Sequence, residues 1–443
     1  MKWKRICSVA LATALTFSLA ACGSSGSSDK AESKADDGSV KITYLSRYTN
    51  PEDARAKFFM DKLEEFKELH PEIEIEDISV TDAEAYMSKM KSLIAAGSVP
   101  DVFACSYEMP RYDLAKNETI ANIEPILEAS DWTGPTDRKY FVGYEFEEEG
   151  LDGVYGVPNN LATIQMFINT KVFEDLGLEI PQTWEDLEEV SDTLIENGIT
   201  PVGLAAKNKP KCVQFFTMLG VKMYGMEFQK KFVDGTIDWK DEEVKAVLDQ
   251  YKEWVDKGIF GENAISYAFE NVMADFEQGK VATMFEMSYQ FAKISSMSNS
   301  ADITCVNVFP FEDKMEYKGI WFTDYYDGMC IGAKEGTPEY DAAVELFKFM
   351  LSQETFNQYA QVMGGGAYPL EVEFDDSSAG NVMKDFMEAY KDCTDITAML
   401  TAYCDDTVIA DVTGSELQTL FVGRNTDEIA DTLNQEYEKV LKD

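Results

Sequence analysis

Residues 40–106, VKITYLSRYTNPEDARAKFFMDKLEEFKELHPEIEIEDISVTDAEAYMSKMKSLIAAGSVPDVFACS, set the architecture. Positions 40–46 alternate as a strand. Asn50-Pro51 is expected to cap and start a helix, with Phe59, Leu63 and Phe66 at helical spacing. That helix should stop at His70-Pro71, because a residue before proline avoids the helical region. Ile73, Ile75, Ile78 and Val80 read as a second strand. Tyr86, Met90, Leu93 and Ile94 mark a second helix ending near Gly97, and 101–106 a third strand. Strands separated by helices imply a parallel sheet covered on both faces. The pattern then turns helix-rich, at 184–197, 242–257, 340–351 and 427–441. No internal repeat or second linker interrupts it, so any second domain is wound in with the first.

Upstream, Lys2, Lys4 and Arg5 form a positive head, and residues 6–19 are mostly apolar, the length of a signal segment and too short for a mature span. Leu19-Ala20-Ala21-Cys22 resembles the bacterial lipoprotein box, in which the cysteine thiol takes a diacylglycerol. The sequence reading is therefore a signal peptide at 1–21, lipidated Cys22, and a Gly/Ser/Ala tether at 22–39. Such a tether reaches about 20–25 Å when flexible. An ordinary cleaved signal with Cys22 incidental is the alternative.

The chain has 443 residues, 81 Asp and Glu against 39 Lys and Arg, and a formal charge of −42. That charge disfavours nucleic acid or an anionic surface as partner. About 400 residues after the leader suffice for two domains with ample cores. Of the eight cysteines, Cys7 and Cys22 lie in the leader and lipobox. The other six are scattered without a CxxC, and Cys393 with Cys404 is the pair to test for a disulfide. The single histidine, His70, argues against a zinc site or a histidine-dependent triad. No metal or redox cofactor is expected.

Six motifs then occur in a fixed order: Pro100-Asp101-Val102-Phe103; Tyr155-Gly156-Val157-Pro158 with Phe167-Ile168-Asn169-Thr170-Lys171-Val172-Phe173; Gly177-Leu178 with Pro181-Gln182-Thr183-Trp184-Glu185-Asp186-Leu187; FEQGKVATM at 276–284; 342–369; and Gly423-Arg424-Asn425-Thr426 before a helix. Together they resemble the family 1 extracellular solute-binding proteins, the group that contains the maltose-binding protein and many sugar-binding lipoproteins. Each motif also has a local physical reason. Asp101 can satisfy backbone donors at a strand entry, and Thr183 with Asp186 can form a capping box. Trp184 should pack rather than bind, and Asn169 suits a turn into a helix.

The resemblance implies an α/β, two-lobed, periplasmic-binding-protein-like (type II) fold with several hinge crossings, placed near Glu108, Met284 to Met287, and Ala333 to Pro338. Lobe one is then 40–108 with 287–334, and lobe two 109–286 with 335–443. It also implies a monomeric, lipid-anchored component of an ABC importer on the extracytoplasmic face. Such a protein closes on a solute and hands it to the permease. Cys105 stands where the maltose binder has Trp, and Ala162 where it has an acidic sugar ligand, so the resemblance does not extend to maltose itself.

Clefts in such sheets lie at the carboxyl ends of strands. The residues after each expected strand are Ser46, Arg47 and Tyr48; Tyr107 and Glu108; Asn159 and Asn160; Tyr289; Trp321, Asp324, Tyr325 and Asp327 ahead of a strand expected at 328–333; and Tyr368. Rings beside planar polar groups suit the C–H faces and hydroxyl rim of a saccharide. Tyr289 is the ring best placed by the family pattern. A secreted carbohydrate-active enzyme is the rival reading, although GxSxG, HExxH and GxxxxGK[ST] are absent. A non-transport surface protein, and a polyamine or peptide as solute, also stay open.

Overall fold

The computed structural model describes residues 39–105, 109–141, 143–147, 150–233, 235–400 and 407–440. The leader, Cys22, most of the tether, Tyr107, Glu108 and Cys404 lie outside the described residues.

Eleven strands are described: β1 Val40–Leu45, β2 Ile73–Asp77, β3 Val102–Cys105, β4 Glu145–Phe146, β5 Leu151–Val154, β6 Val157–Asn169, β7 Thr200–Gly203, β8 Val281–Met287, β9 Ile303–Val306, β10 Ile320–Ile331 and β11 Asp395–Ala398. Nine form one sheet, ordered β2-β1-β3-β10-β6-β8-β7, with β11 beside β10 and β9 beside β6. Local chemistry explains the first elements. The Asp101 carboxylate accepts the Thr43 N–H at 2.7 Å and its hydroxyl at 2.8 Å. These bonds lock the entry of β3 to the middle of β1, as its place before the strand suggests. Gly97 ends the helix Ala83–Ala96 with φ of 65°, a conformation that costs glycine little. The helix Ala54–Leu69 is capped by Asp53, whose side chain accepts from the Ala56 N–H. Asn50, expected to cap it, instead accepts from the Glu52 N–H in the preceding turn. The helix Trp184–Glu196 opens on the expected capping box of Thr183 and Asp186.

The sheet is mixed rather than parallel. β1 runs parallel to β2 and β3, and β7 to β8. These two parallel groups are joined by two long strands, of 13 and 12 residues, that run antiparallel to each other and to β3 and β8. The far end of β10 pairs with β3 and its near end with β11. Residues 157–164 of β6 face β10, and 164–169 face β8 and β9. One core contains Ile42, Phe59, Phe103 and Phe347. A second contains Trp184, Phe215, Trp254 and Phe322. Trp184 packs, as expected, with its ring centroid 4.8 Å from that of Trp254.

The expected changeovers at 108/109, 286/287 and 334/335 do not coincide with a change of partners. Residues 109–156 contact the β1–β3 group: the Tyr144 hydroxyl donates to the Cys105 carbonyl at 2.9 Å, and the Ala121 N–H to the Ile331 carbonyl, in the part of β10 that pairs with β3, at 2.8 Å. β9, at 303–306, pairs with the same end of β6 as β8 does. The helix Gln353–Met363 returns to the first group, with Tyr359 against Phe58 at 5.1 Å. The chain passes from one group to the other along β6 and β10.

Lys222 is fully buried near the end of the helix Lys209–Tyr224 and donates to the carbonyls of Tyr317, Lys318 and Ile320 at 3.0, 3.3 and 2.9 Å. It thus clamps the root of β10. Five cysteines, Cys105, Cys212, Cys305, Cys330 and Cys393, are buried free thiols. No helix among the described residues is long and apolar enough to cross a membrane.

Candidate functional site

Strands β1 and β8 belong to different parallel groups, yet their carboxyl ends open on the same space. β1 delivers Arg47 two residues past its end, and β8 delivers Ser288 and Tyr289. Between these walls lies a cavity of about 650 Å³, floored by Asn160 to Ala162 of β6 and Asp327 of β10. The helix Gln353–Met363 adds Tyr359, and residues 365–368 close the remaining side. A smaller chamber of about 360 Å³ continues it toward Tyr48 and Asp53 and shares Arg47, Arg55 and Asp327. Each volume lies within the roughly 300–1,000 Å³ of small-molecule sites.

The wall chemistry divides into rings and planar polar groups. Tyr289 is 56% exposed, and its ring is available to the solvent side of the cavity. Tyr368 is buried behind it, its hydroxyl donating to the Gly365 carbonyl at 3.1 Å. Gly365 and Gly366 have φ of 114° and 143°, values that side-chain-bearing residues rarely adopt, so the backbone itself forms this wall. Tyr48 stacks on Phe59 at 4.6 Å. Arg55 sits half-buried in the first turn of Ala54–Leu69. Burial opposes its charge, but Tyr359, Tyr48 and Asp327 around it outweigh that and hold its pKa above the ordinary value. Burial, with Asp327 nearby, pushes the Tyr48 hydroxyl well up. Burial likewise pushes Tyr359 up to about 12, against the opposing pull of Arg55. The site therefore presents guanidiniums, the carboxylates of Asp327 and Asp53, neutral phenols and amides at neutral pH.

Of the residues singled out by sequence, Arg47, Asn160, Tyr289, Asp327 and Tyr368 line the larger chamber and Tyr48 the smaller. Three others sit elsewhere. Ser46 is buried, shares a hydrogen bond with Ser79, and accepts the Tyr48 N–H at 3.1 Å, so it shapes the turn. Asn159 is buried beside the floor and lines neither chamber. Trp321 is fully buried, edge-on to Phe386 and Tyr390, because β10 begins at Ile320 and not at 328. Asp324 and Tyr325 are in that strand, but their side chains lie outside the described residues. Sequence reading missed Arg55 and Tyr359. Arg55 carried a signal: it opens a helix directly after β1, where helix N-termini meet strand ends. Tyr359 carried none, being one apolar position among several on its helix. Glu286, two residues before Ser288, is bound to Lys211 at 2.9 Å and does not line the cavity. No cluster of metal-ligating side chains occurs among the described residues.

Residues 50–355 match the family model of bacterial extracellular solute-binding proteins. An uncharacterized ABC transporter extracellular-binding protein of Pyrococcus horikoshii is 28% identical over 264 residues, 58% of this chain and 58% of that protein. The chain thus spans little more than half the length of that relative. The multiple sugar-binding protein of Streptococcus mutans is 22% identical over 371 residues, 82% of each chain. The structure of a family 1 extracellular solute-binding protein from Bifidobacterium longum subsp. infantis superposes with a TM-score of 0.73 at 17% identity, over 90% of this chain and 99% of that one. The two-lobed type II fold is therefore shared, and the family is one of extracytoplasmic binding proteins rather than enzymes. With its model matched across more than half of the residues, the chain belongs to the bacterial extracellular solute-binding proteins.

Proposed function

We propose that this protein is the substrate-capturing component of an ABC importer, that its solute is a saccharide, and that it closes on the solute and delivers it to a membrane permease. The carrying observation is the cavity between the carboxyl ends of β1 and β8, whose lining combines Tyr289 with the planar groups of Arg47, Asn160 and Asp327. Rings suit the apolar faces of a sugar and planar groups its hydroxyls. The sugar-binding name of the Streptococcus relative supports the same class.

The lobes follow the strand partners: 40–160 with 327–363 forms one, and 161–326 with 381–440 the other. Closure is then a bend of β6 and β10 near Asn160 and Asp327, which brings Arg47 and Tyr289 together. The protein is read as a monomer held by lipid on Cys22, the position where the lipoprotein box ends.

Thermal-shift screening against mono- and oligosaccharides tests the solute class. A ligand at 100 times its Kd raises native stability by about 2.7 kcal/mol. A peptide or polyamine that stabilises while every sugar fails overturns the saccharide reading, and turnover of a glycan overturns the carrier reading. Cys22→Ala should release the protein from cells, and its retention on the membrane would refute the anchor.

A further inference from the structure

The wall that carries Tyr289 is held from behind by a buried polar chain. Glu286 stands opposite Gln165 of β6, and Met287, opposite Ile164, is the last paired residue of β8. The Glu286 side chain is 5% exposed, and that of Lys211, in the first turn of the helix Lys209–Tyr224, is 15% exposed. The Lys211 ammonium donates to the Glu286 carboxylate at 2.9 Å, and the Met287 N–H donates to the same oxygen at 3.4 Å. The Gln165 amide donates to the Glu286 carbonyl at 2.8 Å, and the Thr163 hydroxyl donates to the Gln165 amide oxygen at 3.0 Å. The side chain of Glu286 is therefore tied to a helix and its backbone to β6. Immediately beyond Met287 the single turn Ser288–Gln290 carries Tyr289 to the cavity. On the far side of that turn Phe291 is buried, edge-on to Phe167 at 5.7 Å and against Phe386 at 4.8 Å. Thr163, Gln165, Lys211 and Glu286 line neither chamber.

Stability does not account for an ion pair at this place. Two apolar side chains of similar size are commonly as stable or more so, because each ion is costly to take out of water. What an apolar pair lacks is direction: it cannot hold the Met287 peptide or fix the angle at which β8 leaves the sheet. Stacking of a ring depends on its distance and tilt, and a site is only as precise as the residues that support it. β6 also supplies Asn160 to Ala162 of the floor. The hydrogen bonds from Thr163 through Gln165 to Glu286 thus set floor and wall in one frame. Resting on the reading of Tyr289 as a sugar-stacking ring, we propose that Lys211 and Glu286 are positioning residues: their pair holds the exit of β8 so that the Tyr289 ring meets the solute at a fixed height over the β6 floor.

Hydrogen exchange read by mass spectrometry tests the placement without a solute. The double variant Lys211→Leu with Glu286→Leu removes both charges and leaves neither unpaired. Its amides at 287–291 should exchange roughly tenfold faster than in wild type, those of β1 and the helix Ala54–Leu69 should not change, and the apo melting temperature should hold or rise. Affinity is measured by calorimetry with the saccharide that most stabilises wild type in a panel of malto-, xylo- and chito-oligosaccharides. The double variant should bind roughly tenfold more weakly, and no more weakly than Tyr289→Ala. In the Tyr289→Ala background the same two substitutions should change affinity by less than about twofold, because the ring through which they act is gone. Lys211→Met and Lys211→Arg give the same contrast in a chain that keeps Glu286: the first should lose affinity roughly tenfold and the second much less. Unchanged exchange at 287–291 in a folded double variant, or an equal loss of affinity with and without the Tyr289 ring, overturns the positioning role and leaves the saccharide reading standing. Stabilisation by a peptide and by no sugar overturns the saccharide reading instead, and the exchange measurement then decides the positioning role by itself.

Discussion

Two stretches rich in aromatic and polar side chains, 288–292 after β8 and 321–327 within β10, both come close to the site, but by different routes. After β8 the chain leaves the sheet at its carboxyl end, and Ser288, Tyr289 and Ala292 line the cavity. In β10 the chain remains a paired strand between β6, β3 and β11. Two of its rings are sheet rings: Trp321 packs on one core and Phe322 on the other. At Asp327, beside a break in register and opposite Asn160, β10 presents a charge to the cavity. A residue type thus indicates a site only when the chain has stopped pairing. The same Tyr or Trp inside a ladder belongs to the core.

The comparison breaks most visibly at Trp321. Trp321→Ala removes a fully buried ring and should cost about 3–5 kcal/mol of stability in denaturant unfolding, with affinity per folded molecule unchanged. A loss of affinity in the folded mutant would return β10 rings to the site. Tyr289→Ala should do the opposite: affinity for the cognate sugar falls by roughly 2–3 kcal/mol, about 30- to 150-fold, while the apo melting temperature barely moves because the ring is more than half exposed. Calorimetry beside an apo melting curve separates these outcomes.

The clamp at the root of β10 sharpens the contrast further. Lys222→Met leaves carbonyls without their donor, and only those of Lys318 and Ile320 keep Asn307 as partner. It should destabilise by about 1–3 kcal/mol without touching binding. Burial lowers the Lys222 pKa to about 7, below the ordinary lysine value. Between pH 7 and that value the folded state then binds fewer protons than the unfolded one, so this group's contribution to stability rises with pH through that window and is flat below it. Wild-type stability minus that of Lys222→Met, followed by urea unfolding across the window, should rise; a flat difference would show that the three carbonyls keep the ammonium charged. The smallest effect is expected at Asn160, whose amide offers one or two hydroxyl contacts. Asn160→Ala should weaken the sugar by about 0.5–1.5 kcal/mol, measured by the same calorimetry.

Much of this was legible in sequence where local chemistry decides. Thr183, Asp186, Asp101 and Gly97 each act within a few residues or on an adjacent strand, and each takes the role its position suggests. That Arg47 and Tyr289 line the cavity was legible because Arg47 follows the alternating stretch at 40–46 and Tyr289 the strand marked by FEQGKVATM. The start of β10 was not. Residues 321–327 mix aromatics with aspartates, a pattern that reads as a loop, and only pairing to β6 and β11 makes it a strand. The path of the chain between the two strand groups was less legible for a related reason. Residues 109–156 reach β3 through contacts such as the Tyr144 hydroxyl on the Cys105 carbonyl, and no local signal records them. The place of Ser46 was not legible, because a hydroxyl after a strand can face either a cavity or its own turn, and here it bonds Ser79 and the Tyr48 N–H.

The five buried thiols carry a consequence for how the molecule is made. Burial raises the Cys212 and Cys393 pKa values to about 12 and pushes Cys305 and Cys330 well up, so in the native state these four hold almost no thiolate to react. An extracytoplasmic chain begins with those same sulfurs exposed and close to their ordinary acidity. Maturation is therefore a race between collapse and oxidation: a chain that closes its cores first is inert for its lifetime, and one that lingers is captured in mispaired disulfides. Slowly folding variants should accumulate as cross-linked species under oxidising conditions even when their finished folds are as stable as the wild type.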